Sequence, residues 1–205
     1  MAESAKQNED GPRYSLRELF VLTAVVGVFF ALGGVFVRSQ QEVARRAKCT
    51  GLLKQVGIAL HNYHATDKCF PPAYFADADG KPMHSWRVIL LPYFGDAASR
   101  ALYQQYRFDE PWDGPNNRTL AGMIPQVYRC PSSTAPVGET SYTAVVGPEA
   151  GWPGSEARNI GDFTDGLSST IALVEIAESG INWMEPRDLT FTQAAQGVNP
   201  PLAKL

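Results

Sequence analysis

The residue types able to do chemistry are few in this chain and widely spread. His61 and His64 form an H-x-x-H, and on a helix that spacing puts two imidazoles on one face, where they could share a metal ion. The glutamate of H-E-x-x-H is missing and His84 is the only other histidine. The pair therefore reads first as capping and packing at a helix end. The serines of "SWRV" and "DGLSST" lie outside any G-x-S-x-G, with no evident base beside them. Asp77, Asp79 and Gly80 open like an EF-hand loop, but the later acidic positions are absent. Asp109, Glu110, Asp113, Asn116 and Asn117 gather oxygen donors around one loop, a composition that ordinary turns also use. Trp86, Trp112, Trp152 and Trp183 could line a sugar-binding surface, but tryptophans in a small domain more often belong to its core. No enzyme is expected, and no resident cofactor.

Three cysteines remain, Cys49, Cys69 and Cys130. An odd number cannot pair fully within one chain. With no C-x-x-C, neither a zinc ribbon nor a thioredoxin-like motif is supported. Outside the cytoplasm, one disulfide among the three with one thiol left over is expected. Reduced thiols packed as small apolar side chains are the other reading, and connectivity is not legible.

The element that must position everything else begins with the stretch "RYSLRELFVLTAVVGVFFALGG". No charge occurs at 19–37, close to the roughly 20 residues a helix needs to cross a bilayer core. A cleaved signal would be shorter and end in a small-residue site. A soluble core helix would keep one polar face. The stretch is therefore read as a retained transmembrane helix, with Glu18 at its mouth. Ser15 stands three residues before Glu18, the spacing of a capping box. No proline occurs between positions 13 and 70, so a single helix is expected from about Ser15 to about Ala65. Beyond the membrane, Val43, Cys49, Leu53, Val56, Leu60 and Tyr63 recur near helical spacing as a stripe that a domain must cover.

That domain reads as turn-rich. "FPP" stops the helix and "DADGKP" marks a turn. "HSWRVILLPYF" is a buried helix or strand and "SRALYQQYRF" a short helix. "PWDGPNN" is a loop. "QVYRCP", "TSYTAVVG" and "STIALVEIA" are the strand candidates, with "INWMEPRDL" a further short strand running into a loop. One long helix and then short strands give an α+β class, the helix packed on an antiparallel sheet.

Charge is uneven along the 205 residues: the chain nets −3, with eight basic and five acidic residues in 1–64 and ten basic and sixteen acidic in 65–205. A mildly acidic outer domain argues against a nucleic-acid partner. Arg38, Arg45, Arg46, Lys48 and Lys54 come after the apolar stretch, where they could touch anionic head groups or simply face solvent. A strict positive-inside count would put the carboxyl-terminal domain in the cytoplasm.

Two sets of motifs carry a resemblance. "YSLREL" ahead of an uncharged run resembles the amino-terminal signature of type IV pilins and pseudopilins. "KCTGLLKQVGIALHNYH", "FPPAY", "SWRVILLPY", "DEPWDGPNN", "YRCPSS", "TSYTAVVG", "DGLSSTI" and "INWMEPRDL", in this order, resemble the pilin-like family catalogued as domain of unknown function 1559. The likeness spans about Tyr14 to about Leu189. It implies a pilin-like plan: a tail or leader at 1–13, a transmembrane helix at 14–38, a helix extension at 39–66 and a globular α+β domain at 67–205. It also implies a single pass through the cytoplasmic membrane, a domain outside the cytoplasm, and a structural or assembly role. The implied partners are the lipid bilayer and other copies or pilin-like subunits. Glu18 and Tyr14 take the assembly positions, the glutamate pairing with a neighbouring subunit's amino terminus. Some pseudopilins bind calcium in a loop like 109–117, which makes Asp109, Asp113 and Asn116 weak calcium candidates. Arg13 stands where the prepilin signature has glycine, and Arg17 where it has isoleucine. The chain also ends at "NPPLAKL" without the final hairpin common in the family. An unprocessed anchor is therefore expected, and the alternative function is an anchored extracytoplasmic module for a glycan or protein ligand that does not polymerise.

Overall fold

The computed structural model describes residues 15–196; Tyr14, the 1–13 tail and the "NPPLAKL" end lie outside the described residues. The chain divides into two compact units, one ending at Ala44 and one starting at Arg45.

The first unit is the leading part of helix α1, Leu16–Asp67. Its start is a capping box. The Ser15 amide donates to Glu18 Oε2 at 2.8 Å and the Glu18 amide donates to Ser15 Oγ at 3.3 Å, which satisfies two amides a helix start leaves open. Within the apolar stretch the polar side chain is also satisfied internally: the Thr23 hydroxyl donates to the Leu19 and Phe20 carbonyls at 3.1 and 3.0 Å. The helix is long and apolar enough to cross a membrane, with a mean hydropathy of 2.5 over its most apolar window and none of that window buried.

In the second unit the same helix buries Cys49, Leu52, Val56, Ala59, Leu60 and Tyr63, each three or four residues from another of the set, which keeps one face inward. The stripe is shifted from the expected one. Val43 is 63% exposed because it belongs to the first unit, and Leu53 is half-buried on the flank that Leu52 and Ala59 leave. The helix ends where Lys68 turns left-handed, at φ 63°, just ahead of Pro71 and Pro72, which cannot continue it.

Two small sheets come next. Strands β1 (Tyr74–Ala76) and β2 (Pro82–Ser85) form an antiparallel hairpin. Its turn is held by Asp77 Oδ1, which accepts from the Asp79 and Lys81 amides at 3.0 and 2.8 Å. Gly80 supplies the φ of 81° the turn requires. Beyond the hairpin lie helix α2 (Trp86–Ile89), a 3-10 turn over Leu91–Phe94 and helix α3 (Ala97–Gln105). The second sheet has the order β4-β3-β5, with β3 at Tyr142–Val146, β4 at Leu173–Glu175 and β5 at Leu189–Thr190. A last helical turn, α4, covers Phe191–Ala194.

The class is α+β, as expected, but the sheet is not wholly antiparallel: β4 pairs antiparallel to β3 while β5 pairs parallel to it. The parallel strand has a local cause. Asp188, one residue before β5, accepts a hydrogen bond from the Ala144 amide on β3 at 2.8 Å. This pins the chain in a parallel register. "QVYRCP" forms a 3-10 turn at Gln126–Tyr128 instead of a strand. Its aromatic and branched residues report burial, and the Tyr128 hydroxyl donates to the Arg87 carbonyl at 2.7 Å.

Candidate functional site

The centre of the second unit holds a buried polar cluster. Ser85 caps α2, its Oγ accepting from the Arg87 amide at 3.3 Å, and that short helix turns Arg87 inward. The guanidinium donates to the Tyr142 carbonyl at 3.1 Å and to Ser85 Oγ at 3.0 Å. It forms an ion pair with Asp188, the two side chains being 0% and 2% exposed. Asp188 also accepts from Trp86 Nε1 at 3.1 Å. Burial holds the Asp188 carboxyl above its ordinary value, and Arg87 and the bonds from Ala144 and Trp86 offset only part of that rise. The pair is buried, with Asp188 bordering a hollow of about 370 Å³ that Tyr74 and Thr190 also line. It joins α2, β3 and the segment leading to β5.

His84 is the second buried titratable group. Nδ1 lies 2.9 Å from the Tyr106 hydroxyl and Nε2 3.2 Å from the Phe108 carbonyl. Burial lowers its pKa from 6.5, against a smaller upward pull from the Phe108 carbonyl. The unfolded chain therefore binds the proton more readily than the folded one. The stabilising contribution is complete above the unfolded value and is lost as pH falls through it towards the folded value. The urea midpoint is expected to drop between about pH 7.5 and about pH 5, with His84→Gln removing part of that slope.

The oxygen-rich loop is occupied by its own backbone. Buried Asn117 accepts from the Arg107 amide at 2.9 Å and donates to the Arg107 and Pro111 carbonyls at 2.7 and 3.0 Å. Glu110 accepts from the Asn116 and Asn117 amides at 2.9 and 2.6 Å and from Asn116 Nδ2 at 3.0 Å. Desolvation pushes the Glu110 carboxyl up, but the Asn117 and Asn116 donors outweigh it and hold it below the usual range. Gly114 permits this closure, since a Cβ there would stand 2.7 Å from Glu110 Cδ. Asp109, Asp113 and Asn116, the calcium candidates, are exposed, and the loop's engaged carboxylate is Glu110.

His61 and His64 both pack against Phe70, with ring centroids 5.7 and 4.9 Å apart. Among the described residues they join no group of three metal-ligating side chains. Trp86, Trp152 and Trp183 are core residues and Trp112 packs beside them. Cys49 and Cys130 form a disulfide and Cys69 is free and half-buried. The bond ties α1 to the segment before β3, beside a hydrogen bond of 3.0 Å from the Tyr142 hydroxyl to the Cys49 carbonyl.

A hollow of about 1000 Å³ lies between α1, α3 and residues 123–127. Its carboxylate, Asp96, already caps α3 by accepting from the Ser99 amide at 2.7 Å. A smaller, apolar hollow of about 280 Å³ is floored by Leu60, Trp152 and Leu173. Neither gathers an acid, a base and a nucleophile. Sequence reasoning passes over Arg87 and Asp188. The signal for the first is a lone charge inside the apolar run "WRVILL"; Asp188, in "PRDL", carries none.

A model of the family described as protein of unknown function (DUF1559) matches residues 38–161, more than half of the chain. The chain belongs to the DUF1559 family. The DUF1559 match begins just after the uncharged stretch and takes in the later part of α1, the hairpin, α2, α3 and β3. Ser85, Arg87 and Tyr142 lie inside the span matched to DUF1559, and Asp188 lies beyond it. No curated protein and no solved structure matches the chain.

Proposed function

We propose that this DUF1559 chain is a single-pass membrane protein of the cell envelope with a structural or assembly role, pilin-like in plan, and that it performs no catalysis. The observation that carries this reading is the exposed, uncharged helix at 19–37, capped by Ser15 and Glu18 and with its Thr23 hydroxyl bonded internally. Lipid tolerates a helix of this kind because its polar groups are bonded within the segment. The lipid bilayer is its first partner; further copies or other pilin-like subunits are the second. The Cys49–Cys130 disulfide supports a domain outside the cytoplasm, where such bonds persist, and this outweighs the count of basic residues. The lack of catalysis is argued from where the polar groups are spent. Ser85 caps a helix and binds Arg87, and the ion pair is buried.

One observation favours the alternative, an anchored binding module that does not polymerise. Glu18 already accepts a hydrogen bond within its own chain, beside Arg17, so it has less need of a neighbour's amine. Amino-terminal sequencing with intact mass of the protein from its native membrane separates the two. A chain beginning at Tyr14 supports assembly, and a chain retaining residues before Gly11 supports the fixed anchor. In either case the protein is expected to stay in the membrane pellet after alkaline carbonate extraction. Release into the supernatant would overturn the membrane reading.

A further inference from the structure

Strand β4 stands at one end of the order β4-β3-β5, so one of its edges has no strand beside it. The Ile176 amide donates to the Ser141 carbonyl at 2.9 Å and the Val145 amide to the Ala172 carbonyl at 3.2 Å. In an antiparallel ladder these bonds fix the phase: residues 172, 174 and 176 turn their main chain to β3, and Ile171, Leu173 and Glu175 turn theirs outward. The chain is already extended as it leaves the preceding 3-10 turn, with Thr170 at φ −103° and ψ 123°. Among the described residues, no hydrogen bond reaches the outward amides and carbonyls of these three. Ile171 is 68% exposed.

The apolar hollow of about 280 Å³ opens beside the start of this edge, with Thr170, Ala172, Leu173 and Gly57 of α1 in its wall. A glycine inside a helix weakens it, yet no packed neighbour demands one here: a Cβ on Gly57 would meet nothing within 4 Å. The glycine leaves the hollow clear. Charge around the edge has one sign. Between Arg158 and Arg187 the chain carries Asp162, Asp165, Glu175, Glu178 and Glu185 and no basic residue.

We propose that the outer edge of β4 is a docking site for an extended, basic segment of a partner protein, which adds to the sheet as a further strand and lodges one bulky apolar side chain in the hollow. A row of unpaired amides and carbonyls at strand spacing is matched by another extended backbone. In such additions the main-chain bonds supply affinity and pockets for alternate side chains supply selectivity. Basic residues flanking the apolar one answer the acids of the edge. A second copy of this chain is the poorer fit, because it would bring one acidic segment against another. The inference does not depend on the membrane reading.

The test uses the full chain in a non-ionic detergent and fluorescein-labelled seven-residue peptides, with lysine at both ends, β-branched residues between and phenylalanine at the centre. Fluorescence anisotropy reads the affinity. Two further forms carry a pair of N-methyl groups, at the second and fourth residues or at the third and fifth, so that each blocks one edge of the peptide. One of these forms is expected to lose about tenfold or more in affinity and the other to stay within about twofold, since two main-chain bonds are lost on the docked edge alone. Alanine in place of the central phenylalanine is expected to weaken binding about tenfold. Gly57→Leu, which fills the hollow with a better helix former, is expected to erase that preference while the peptide still binds. No binding of the unmethylated peptide, equal affinities of the two methylated forms, or a phenylalanine preference that survives in Gly57→Leu would each overturn the proposal. Sedimentation of the chain alone as a dimer that the peptide breaks would overturn it as well, because the edge would then belong to a second copy.

Discussion

Replacing Asp188 with asparagine is expected to destabilise the domain by about 3–5 kcal/mol, the usual cost of leaving one member of a buried ion pair without its partner. The carboxylate accepts from Arg87, Ala144 and Trp86. Asparagine offers one acceptor oxygen and turns an NH₂ toward donors that need acceptors. The guanidinium then stays buried with its charge uncompensated, since Arg87 is 0% exposed. Arg87→Lys is expected to fare nearly as badly. A lysine cannot reach Tyr142, Ser85 and Asp188 together from a planar fork. A double replacement, Arg87→Met with Asp188→Leu, removes both charges and is expected to recover part of the loss, because apolar pairs often replace buried ion pairs without penalty. Urea titration monitored through the buried Trp86 and Trp183 reads all three. A midpoint for Asp188→Asn within error of the wild type would mean that the pair holds nothing together.

The ion pair also marks the limit of what the sequence discloses. The long helix is legible because its signals are local: an uncharged stretch, a capping box at its start and a proline pair at its end. The α+β class is legible for the same reason, since β-branched runs between Pro and Gly give strands at "TSYTAVVG" and near "STIALVEIA". The illegible part depends on partners far apart in the chain. Arg87 and Asp188 are 101 residues apart, and neither spacing nor composition links them. The parallel pairing of β5 goes with the bond from the Ala144 amide to Asp188, 44 residues away in the chain, so it is hidden too. "QVYRCP" misleads because Val127 and Tyr128 are apolar for the sake of the core, where Tyr128 meets Trp86 at a centroid distance of 5.9 Å. The oxygen-rich loop is legible as a turn, but that Glu110, Asn116 and Asn117 bond to one another and to the loop's backbone is displayed only by the folded loop. Cysteine pairing is open among three residues in the sequence, and a single contact decides it.

That pairing carries the second large effect. Replacing Cys49 and Cys130 together with alanine is expected to cost about 2–4 kcal/mol, the range typical of native disulfides. The bond closes a loop with a sequence separation of 81, for which the chain-entropy argument alone gives about 4.5 kcal/mol at room temperature. The loss is expected to be local in its first stage. Cys49, Leu52, Cys130 and Tyr142 form a cluster separate from the main core around Val56, Trp86 and Trp183. Protection from amide exchange should fall first near Cys49 and at β3, while the tryptophan core holds. The denaturant dependence of unfolding should steepen, because an unfolded chain without the cross-link exposes more surface. The same variant tests sidedness. If the domain is exported, wild-type protein from cells lacking their envelope oxidase should lose stability down to the level of the double variant. The double variant should be indifferent to the host. If wild-type protein from ordinary cells already matches the double variant, its cysteines are reduced there, and the placement of the domain outside the cytoplasm fails.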